Sequence, residues 1–94
     1  MQSIIQENDY YCFLCGGIGT DEHHVFGGKN RGKSTTYKLL VKLCRSCHTN
    51  IHSAKKGTSW WESKEYLERT AQEAFEREVG DREMFRKEFE RDCL

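Results

Sequence analysis

The residues best suited to chemistry are concentrated in one short stretch, Cys44-Arg-Ser-Cys-His-Thr-Asn-Ile-His52. Its Cys-x-x-Cys pair has the spacing that lets two thiolates reach one zinc ion. His48 and His52 are four residues apart, so on a helix their imidazoles lie on the same face and can share one ion. Neither pair completes a coordination shell. Each pair therefore requires partners from another part of the chain.

Upstream residues match both incomplete sites. Cys12 and Cys15 repeat the Cys-x-x-Cys spacing, and His23 and His24 are adjacent. The two sets together use all four histidines and four of the five cysteines. A shell of four thiolates leaves no position for water, so we predict a structural zinc site whose binding free energy, on the order of 10 kcal/mol, contributes to folding. Its predicted ligands are Cys12, Cys15, Cys44 and Cys47.

The histidines predict a second and different kind of site. Adjacent residues of a strand point to opposite faces, so His23 and His24 are expected to have different roles. One of them, added to His48 and His52, makes three protein ligands and leaves coordination positions open, as in catalytic metal sites. The other is a candidate general base with a pKa near neutrality. The spacing does not decide which histidine has which role.

Length and cysteine usage indicate the class of protein. A chain of 94 residues is predicted to form one domain, residues 1–94, which buries only roughly 60% of the surface that its unfolded form exposes. A metal staple is therefore expected. The odd number of cysteines, their paired spacing and the lack of a signal peptide or long apolar run favour thiolates over disulfides and predict a cytoplasmic, non-membrane protein. A thiol-redox role is disfavoured, and Cys93 is predicted to be a spare thiol.

The elements that must position these residues are predicted from local pattern. Residues 21–26 are a short β-prone run, residues 27–36 are a glycine-rich basic stretch predicted to be a mobile loop, and residues 39–43 are a strand that leads to Cys44. A helix is expected from near Ser46. Ser59-Trp-Trp-Glu62 has the pattern of a capping box and is predicted to open a long helix.

The C-terminal part, residues 59–94, is predicted to be a helical scaffold. The long helix has an apolar stripe, Gly80 is predicted to be the left-handed residue past its end, and Asp81 is expected to cap a final helix. Trp60 and Trp61 are interpreted as core or staple residues rather than as platforms for bases. The predicted stripe of the long helix is Trp60, Leu67, Ala71, Ala74, Phe75 and Val79.

Charge is divided unevenly along a chain whose net charge is zero. Residues 1–58 carry eight basic and four acidic residues, whereas residues 59–94 carry seven and eleven. A basic metal-bearing part joined to an acidic helical part is typical of a module that contacts phosphate on one face. The predicted phosphate contacts are Lys29, Arg31, Lys33 and Arg45.

The motifs of residues 12–55 resemble the HNH, or ββα-metal, nuclease family. The resemblance rests on Glu22-His-His24 followed by Val-Phe-Gly-Gly, on Leu43-Cys-x-x-Cys-His48, on His52 and on the paired zinc knuckles. The helix with His-x-x-x-His is most like that of the nuclease colicins. Residues 79–89 also resemble the tails of small phage-type members. One departure is Leu39, which stands where the family often has an asparagine that braces the loop positioning the base.

The resemblance implies a fold, a mechanism and a setting. The fold is a small α+β one, a zinc-stapled ββα-metal core over residues 12–55 followed by C-terminal helices over residues 59–94. His23, His48 and His52 would bind a catalytic divalent ion, for which imidazole ligation favours Zn, Ni or Mn over Mg. His24 would be the general base. The expected setting is a phage or prophage gene expressed in a bacterial host, beside packaging or recombination proteins, with the oligomeric state open.

Two functions are therefore weighed. The leading hypothesis is a metal-dependent endonuclease that hydrolyses DNA phosphodiester bonds as a nonspecific or weakly specific nuclease or a nickase, because no helix is predicted to read a major groove. The alternative is a catalytically inactive zinc-binding module that binds DNA or a protein partner. Leu39 favours the alternative. The four histidines favour the nuclease, since a structural zinc ribbon does not require them.

Overall fold

The computed structural model describes residues 2–94 and has a small α+β fold. In this part of the chain, a two-stranded sheet and four α-helices follow the order β1, α1, β2, α2, α3, α4, with a 3₁₀ turn at Gly28–Asn30 before α1. The strands are β1 (Asp21–His24) and β2 (Leu40–Leu43). The helices are α1 (Arg31–Thr36), α2 (Arg45–His52), α3 (Ser59–Glu78) and α4 (Arg82–Phe89).

The two strands pair in a register that fixes the histidines. They are antiparallel, and His23 lies opposite Val41 while His24 lies opposite Leu40. Side chains alternate across a strand, so His23 faces inward and is buried, and His24 is only partly buried. Only Cys44 separates β2 from α2, so α2 packs beside the sheet and places His48 and His52 next to His23 of β1.

The stretch predicted to be a mobile loop, residues 27–36, is ordered structure instead. It forms the 3₁₀ turn and α1, and it is held by contacts with α4 far along the chain. Asn30 Nδ2 donates to the backbone oxygen of Phe89 at 3.2 Å, and Lys33 pairs with Glu88. The prediction was wrong because the stretch lacks a hydrophobic period and is stabilised by tertiary contacts, which local composition does not reveal.

The ends of the C-terminal helices differ in detail from the predicted ones. The N-cap of α3 is Thr58, whose hydroxyl accepts from Trp61 N, and not Ser59. Gly80 is not left-handed, since the positive-φ glycines of residues 2–94 are Gly16, Gly28 and Gly57. At position 80 the lack of a side chain leaves room for Met84 instead. Asp81 caps α4 as predicted, with its carboxylate accepting from Met84 N at 2.8 Å.

A hydrophobic core joins the sheet to all of the longer helices. Among the predicted stripe residues, Trp60 packs against the core, whereas Val79 is 38% exposed and was wrongly assigned to it. Leu39 is fully buried. The other buried side chains that contribute most volume are Phe26, Val41, Leu43, Ile51, Leu67, Phe75, Phe85 and Phe89. No helix in the described residues is long and apolar enough to span a bilayer.

Residues before β1 cover the outer edge of β2. Gln6 is buried; its side-chain amide donates to Tyr11 O at 2.7 Å and its carbonyl accepts from Lys42 N at 2.8 Å. The carbonyl of Lys42 accepts in turn from Phe13 N at 2.8 Å. The backbone groups of an edge strand are therefore satisfied. These bonds also fix the first Cys-x-x-Cys pair against the sheet.

Candidate metal centres

The first candidate centre is the cluster of four cysteines. The prediction that Cys12, Cys15, Cys44 and Cys47 gather at one place is confirmed, because their sulfur atoms all lie within 4.8 Å of one another. Cys15 and Cys44 Sγ are 3.7 Å apart. Four sulfurs bound to one zinc ion at about 2.3 Å lie about 3.8 Å from each other on a tetrahedron. The cluster therefore fits a structural zinc ion.

Two tight turns present these sulfurs. In the first, Cys12 N donates to Gly17 O at 2.6 Å, and the turn passes through Gly16 at φ +80°, a conformation that glycine adopts without strain. In the second, Cys44 caps α2, and its sulfur accepts from Cys47 N at 3.4 Å. Because Cys15 N also donates to Cys12 Sγ at 3.4 Å, a backbone N–H group points at sulfur in both turns.

The ionisation of the cluster indicates that it is built for a cation. Burial raises the pKa of the Cys12 thiol, but backbone hydrogen bonds, first that of Cys44, outweigh burial and leave its pKa below the usual range. Burial and the neighbouring sulfurs raise the pKa of Cys47. Four thiols this close cannot all ionise unless a positive charge lies between them. A divalent ion would meet this requirement, with all four residues as its ligands.

The second candidate centre is a cluster of three histidines. The structure brings together His23 from β1 with His48 and His52 from α2, and their candidate ligand atoms lie within 4.8 Å of one another. The Nε2 atoms of His48 and His52 are 3.0 Å apart. Two ring nitrogens that share one ion at about 2.1 Å lie roughly 3.0–3.4 Å apart. These three residues could therefore hold a single ion.

Both electrostatics and burial favour the metal-binding form of these rings. Burial lowers the pKa of His23 to about 3, and repulsion from His48 and His52 acts in the same direction. Burial also lowers the pKa of His52. A neutral imidazole is the form that binds metal. The charged form of His23 and of His52 is therefore disfavoured near pH 7, so an incoming ion would not have to compete with a second proton on these two rings.

Asp21 orients one of the three rings, and the sequence analysis did not assign it a role. Its Oδ2 atom lies 2.9 Å from His48 Nδ1 and 2.9 Å from Arg45 Nε. The Arg45 guanidinium and then the His48 ring hold the pKa of Asp21 well below its usual range. A carboxylate on Nδ1 fixes the ring so that Nε2 faces the cluster. Strand alternation could have revealed Asp21, because it is two residues before His23 and on the same face.

His24 lies beside the cluster but makes a separate contact. Its Nε2 atom is 3.0 Å from Thr35 Oγ1, and that hydroxyl is 3.4 Å from Arg31 O. A hydroxyl that donates to a carbonyl can accept from the ring N–H, which leaves Nδ1 of His24 as the basic nitrogen. Burial and the charge of Arg31 lower the pKa of His24. The ring is thus neutral and able to accept a proton.

The turn after His24 is braced by a serine rather than by an asparagine. Ser34 is fully buried; its hydroxyl donates to Phe26 O at 2.7 Å and accepts from Phe26 N at 3.1 Å. Leu39, at the position where the resemblance implies asparagine, fills the core. The chain therefore holds this turn with a different residue. Ser34 and Thr35 were missed because they belong to the stretch interpreted as a loop.

The predicted phosphate contacts differ in their surroundings. Arg31 lines a cavity of about 280 Å³ together with all four histidines, and in residues 2–94 it forms no ion pair. The other three are paired with carboxylates. Lys29 pairs with Glu90, Lys33 with Glu88 and Arg45 with Asp21. Of the four, Arg31 is the cation most available to a ligand beside the histidine cluster.

Searches against protein-family models, curated proteins and solved structures each find no match. The class of protein that fold and site define is a small α+β domain with a cluster of four cysteines placed closely enough to hold one metal ion.

Proposed function

We propose that the protein is a metal-dependent endonuclease of the HNH, or ββα-metal, type that hydrolyses DNA phosphodiester bonds. The observation that carries the proposal is the placement of His24 beside three histidines able to hold one ion, with Arg31 in the same cavity. A structural zinc ion enclosed by four thiolates does not require a cluster of histidines elsewhere in the domain. Three imidazoles with a fourth, separately oriented one beside them are typical of a hydrolytic site.

In the proposed reaction His24 is the general base. Its Nδ1 atom takes a proton from a water molecule as the water oxygen forms a bond to phosphorus, and the bond between phosphorus and the 3′ oxygen breaks. Thr35 holds the opposite edge of the ring and so selects the tautomer. The departing 3′ oxygen takes a proton from solvent. The products are a 5′ phosphate and a 3′ hydroxyl.

The remaining residues would bind the phosphate or the metal ion, or hold a ligand ring in position. Arg31 would neutralise charge on the scissile phosphate. A divalent ion held by His23, His48 and His52 would supply Lewis-acid stabilisation of the negative charge that develops on the phosphate and the leaving oxygen. Asp21 would fix the His48 ring. Contacts of this kind recognise the backbone and not the bases, so the proposed activity is nonspecific or weakly specific.

The test is nicking of a supercoiled plasmid by the zinc-loaded protein with Mg, Mn, Ni or Zn added. His24→Ala is expected to lower the rate by about 10²- to 10⁴-fold, the usual contribution of a general base. Lys87→Gln, on the exposed surface of α4, is the control and should match the wild type. Thermal unfolding and zinc content should be the same for all three proteins.

The alternative, an inactive zinc module, makes the opposite prediction. It is supported by Leu39, which leaves the chain without the asparagine that the resemblance implies. If wild type and His24→Ala behave alike with every metal, the nuclease proposal fails and the module is favoured. Binding of the same plasmid without cleavage would then assign the basic residues to DNA binding alone.

A further inference from the structure

A second cavity, which Arg31 does not line, adjoins the histidine cluster. It has a volume of about 250 Å³, and its walls include His23, His24, His52, Gly27 and Gly28, which also line the cavity of Arg31. The two cavities therefore adjoin at the proposed catalytic centre. A ligand longer than one phosphate that occupies the first cavity would extend into the second.

The second cavity has its own cations, which come from the acidic half of the chain. Lys64 of α3 and Arg91, just after α4, both line it. The net negative charge of residues 59–94 does not predict that two of its basic residues line a cavity beside the histidines. The fold selects two basic residues from an acidic helical part and places them next to the histidines.

One buried carboxylate holds both cations in place. Glu68, 6% exposed, lies 3.0 Å from Lys64 Nζ and 3.1 Å from Arg91 Nη2. Lys64 also lies over the Trp61 ring at 4.8 Å, and Arg91 over the Phe26 ring at 5.3 Å. Their orientations are thus fixed before any ligand arrives, which reduces the entropy lost on binding.

Both cations retain donors for a ligand. An ammonium has three N–H donors and a guanidinium has five, so one contact each with Glu68 leaves most of them free. The side chains are 34% and 42% exposed. In this cavity the group of Lys64, Glu68 and Arg91 has a net charge of +1, whereas the charges of Arg31 and Glu22, which line the adjoining cavity, sum to zero. The excess positive charge is therefore on the side of Lys64 and Arg91.

We infer that Lys64 and Arg91 form a subsite for a DNA backbone phosphate that neighbours the cleaved one, an inference that rests on the proposed endonuclease function. The DNA strand crosses both cavities, with the reacting phosphate at the histidines between Arg31 on one side and this pair on the other. Glu68 is a positioning residue for the two cations. Its own charge opposes the phosphate.

The experiment measures binding rather than cleavage. A fluorescent DNA duplex is titrated with zinc-loaded protein, without added divalent metal, at several salt concentrations, and a gel verifies that the duplex stays intact. Lys64→Gln and Arg91→Gln should each weaken binding about 3- to 10-fold at about 50 mM salt and lower the salt slope by about 0.9, the effect of one phosphate contact. Lys87→Gln is the matched control.

Glu68→Gln separates a ligand subsite from a structural ion pair. The glutamine oxygen can still accept from Lys64 and Arg91 and so keeps both cations in place, whereas the negative charge that opposes the phosphate is removed. Binding should therefore tighten by about 3-fold. If the three residues were only a structural network, Glu68→Gln would weaken binding or leave it unchanged, and that result would overturn the inference. Lys64→Gln and Arg91→Gln binding like the control would also overturn it. Thermal unfolding of each variant shows whether lost affinity reflects lost fold.

The outcomes of this experiment and of the nicking assay are distinguishable. A wild type that nicks plasmid while Lys64→Gln and Arg91→Gln bind normally would remove the subsite and keep the endonuclease. A wild type that does not nick, with affinity still set by Lys64 and Arg91, would remove the endonuclease and leave a DNA-binding surface of a non-catalytic module.

Discussion

The sulfur cluster and the imidazole cluster share helix α2 but differ in how completely they would enclose a metal. Cys12 and Cys47 are buried and Cys15 is exposed, but four sulfurs are enough to fill a tetrahedral shell. The histidine cluster has three ligands, an exposed His52 and a cavity beside it. The comparison teaches that one short helix can contribute to both a closed thiolate cluster and an open imidazole cluster, because consecutive residues such as Cys47 and His48 point in different directions.

The largest effect is expected from replacing one residue of the four-cysteine cluster. Cys12→Ser should abolish tight zinc binding and with it on the order of 10 kcal/mol of folding free energy, which is comparable with the whole stability of a domain of this size. The protein should be unfolded at room temperature by circular dichroism. Cys93→Ser is the control and should keep both its zinc and its fold. Loss of zinc from Cys93→Ser would contradict the assignment of the four ligands.

A second variant tests whether the C-terminal helices are scaffold. Phe75 is fully buried, with ring contacts to Tyr37, Phe85 and Phe89. Phe75→Ala should cost about 3–5 kcal/mol of unfolding free energy. Denaturant unfolding measures this loss, and zinc content below the transition should stay at the wild-type value. A drop in zinc at low denaturant would mean that the thiolate site depends on the helices more than we propose.

A smaller effect is expected from replacing Asp21, the carboxylate that contacts the histidine cluster. Asp21→Asn should raise the metal concentration needed for half-maximal nicking by about 10- to 100-fold, the usual cost of removing a carboxylate behind a histidine ligand. Structural zinc should be unaffected. Arg45→Gln is the matched control, because it removes the other partner of Asp21 and keeps the bond to His48. If Arg45→Gln raises the required metal concentration more than Asp21→Asn does, Asp21 acts through its ion pair with Arg45 and not through the His48 ring.

The sequence predicted those parts of the molecule that local spacing determines. The gathering of Cys12, Cys15, Cys44 and Cys47 is confirmed, as are a small α+β fold and the cap at Asp81. These features depend on residues a few positions apart, or on the strict requirement that two thiolate pairs share one shell. Such patterns are visible in the chain itself.

Long-range contacts explain what the sequence did not reveal. The helical form of residues 28–36 depends on α4, as in the bond from Asn30 to Phe89 O. The pairing of Lys29 and Lys33 with glutamates, and the placement of Lys64 and Arg91 in one cavity, depend on the same packing. Neither charge totals nor hydrophobic period contain this information. The roles of the histidines remain predictions, since geometry alone does not demonstrate hydrolysis.

The most direct test of the division between sulfur and imidazole is chelation of the purified protein followed by parallel measurement of metal content, fold and nicking. We expect mild chelation to leave about one zinc per chain and an unchanged circular dichroism spectrum, to abolish nicking, and added Mn or Ni to restore it. The account would be contradicted if nicking persisted with one zinc per chain, or if loss of activity always coincided with unfolding.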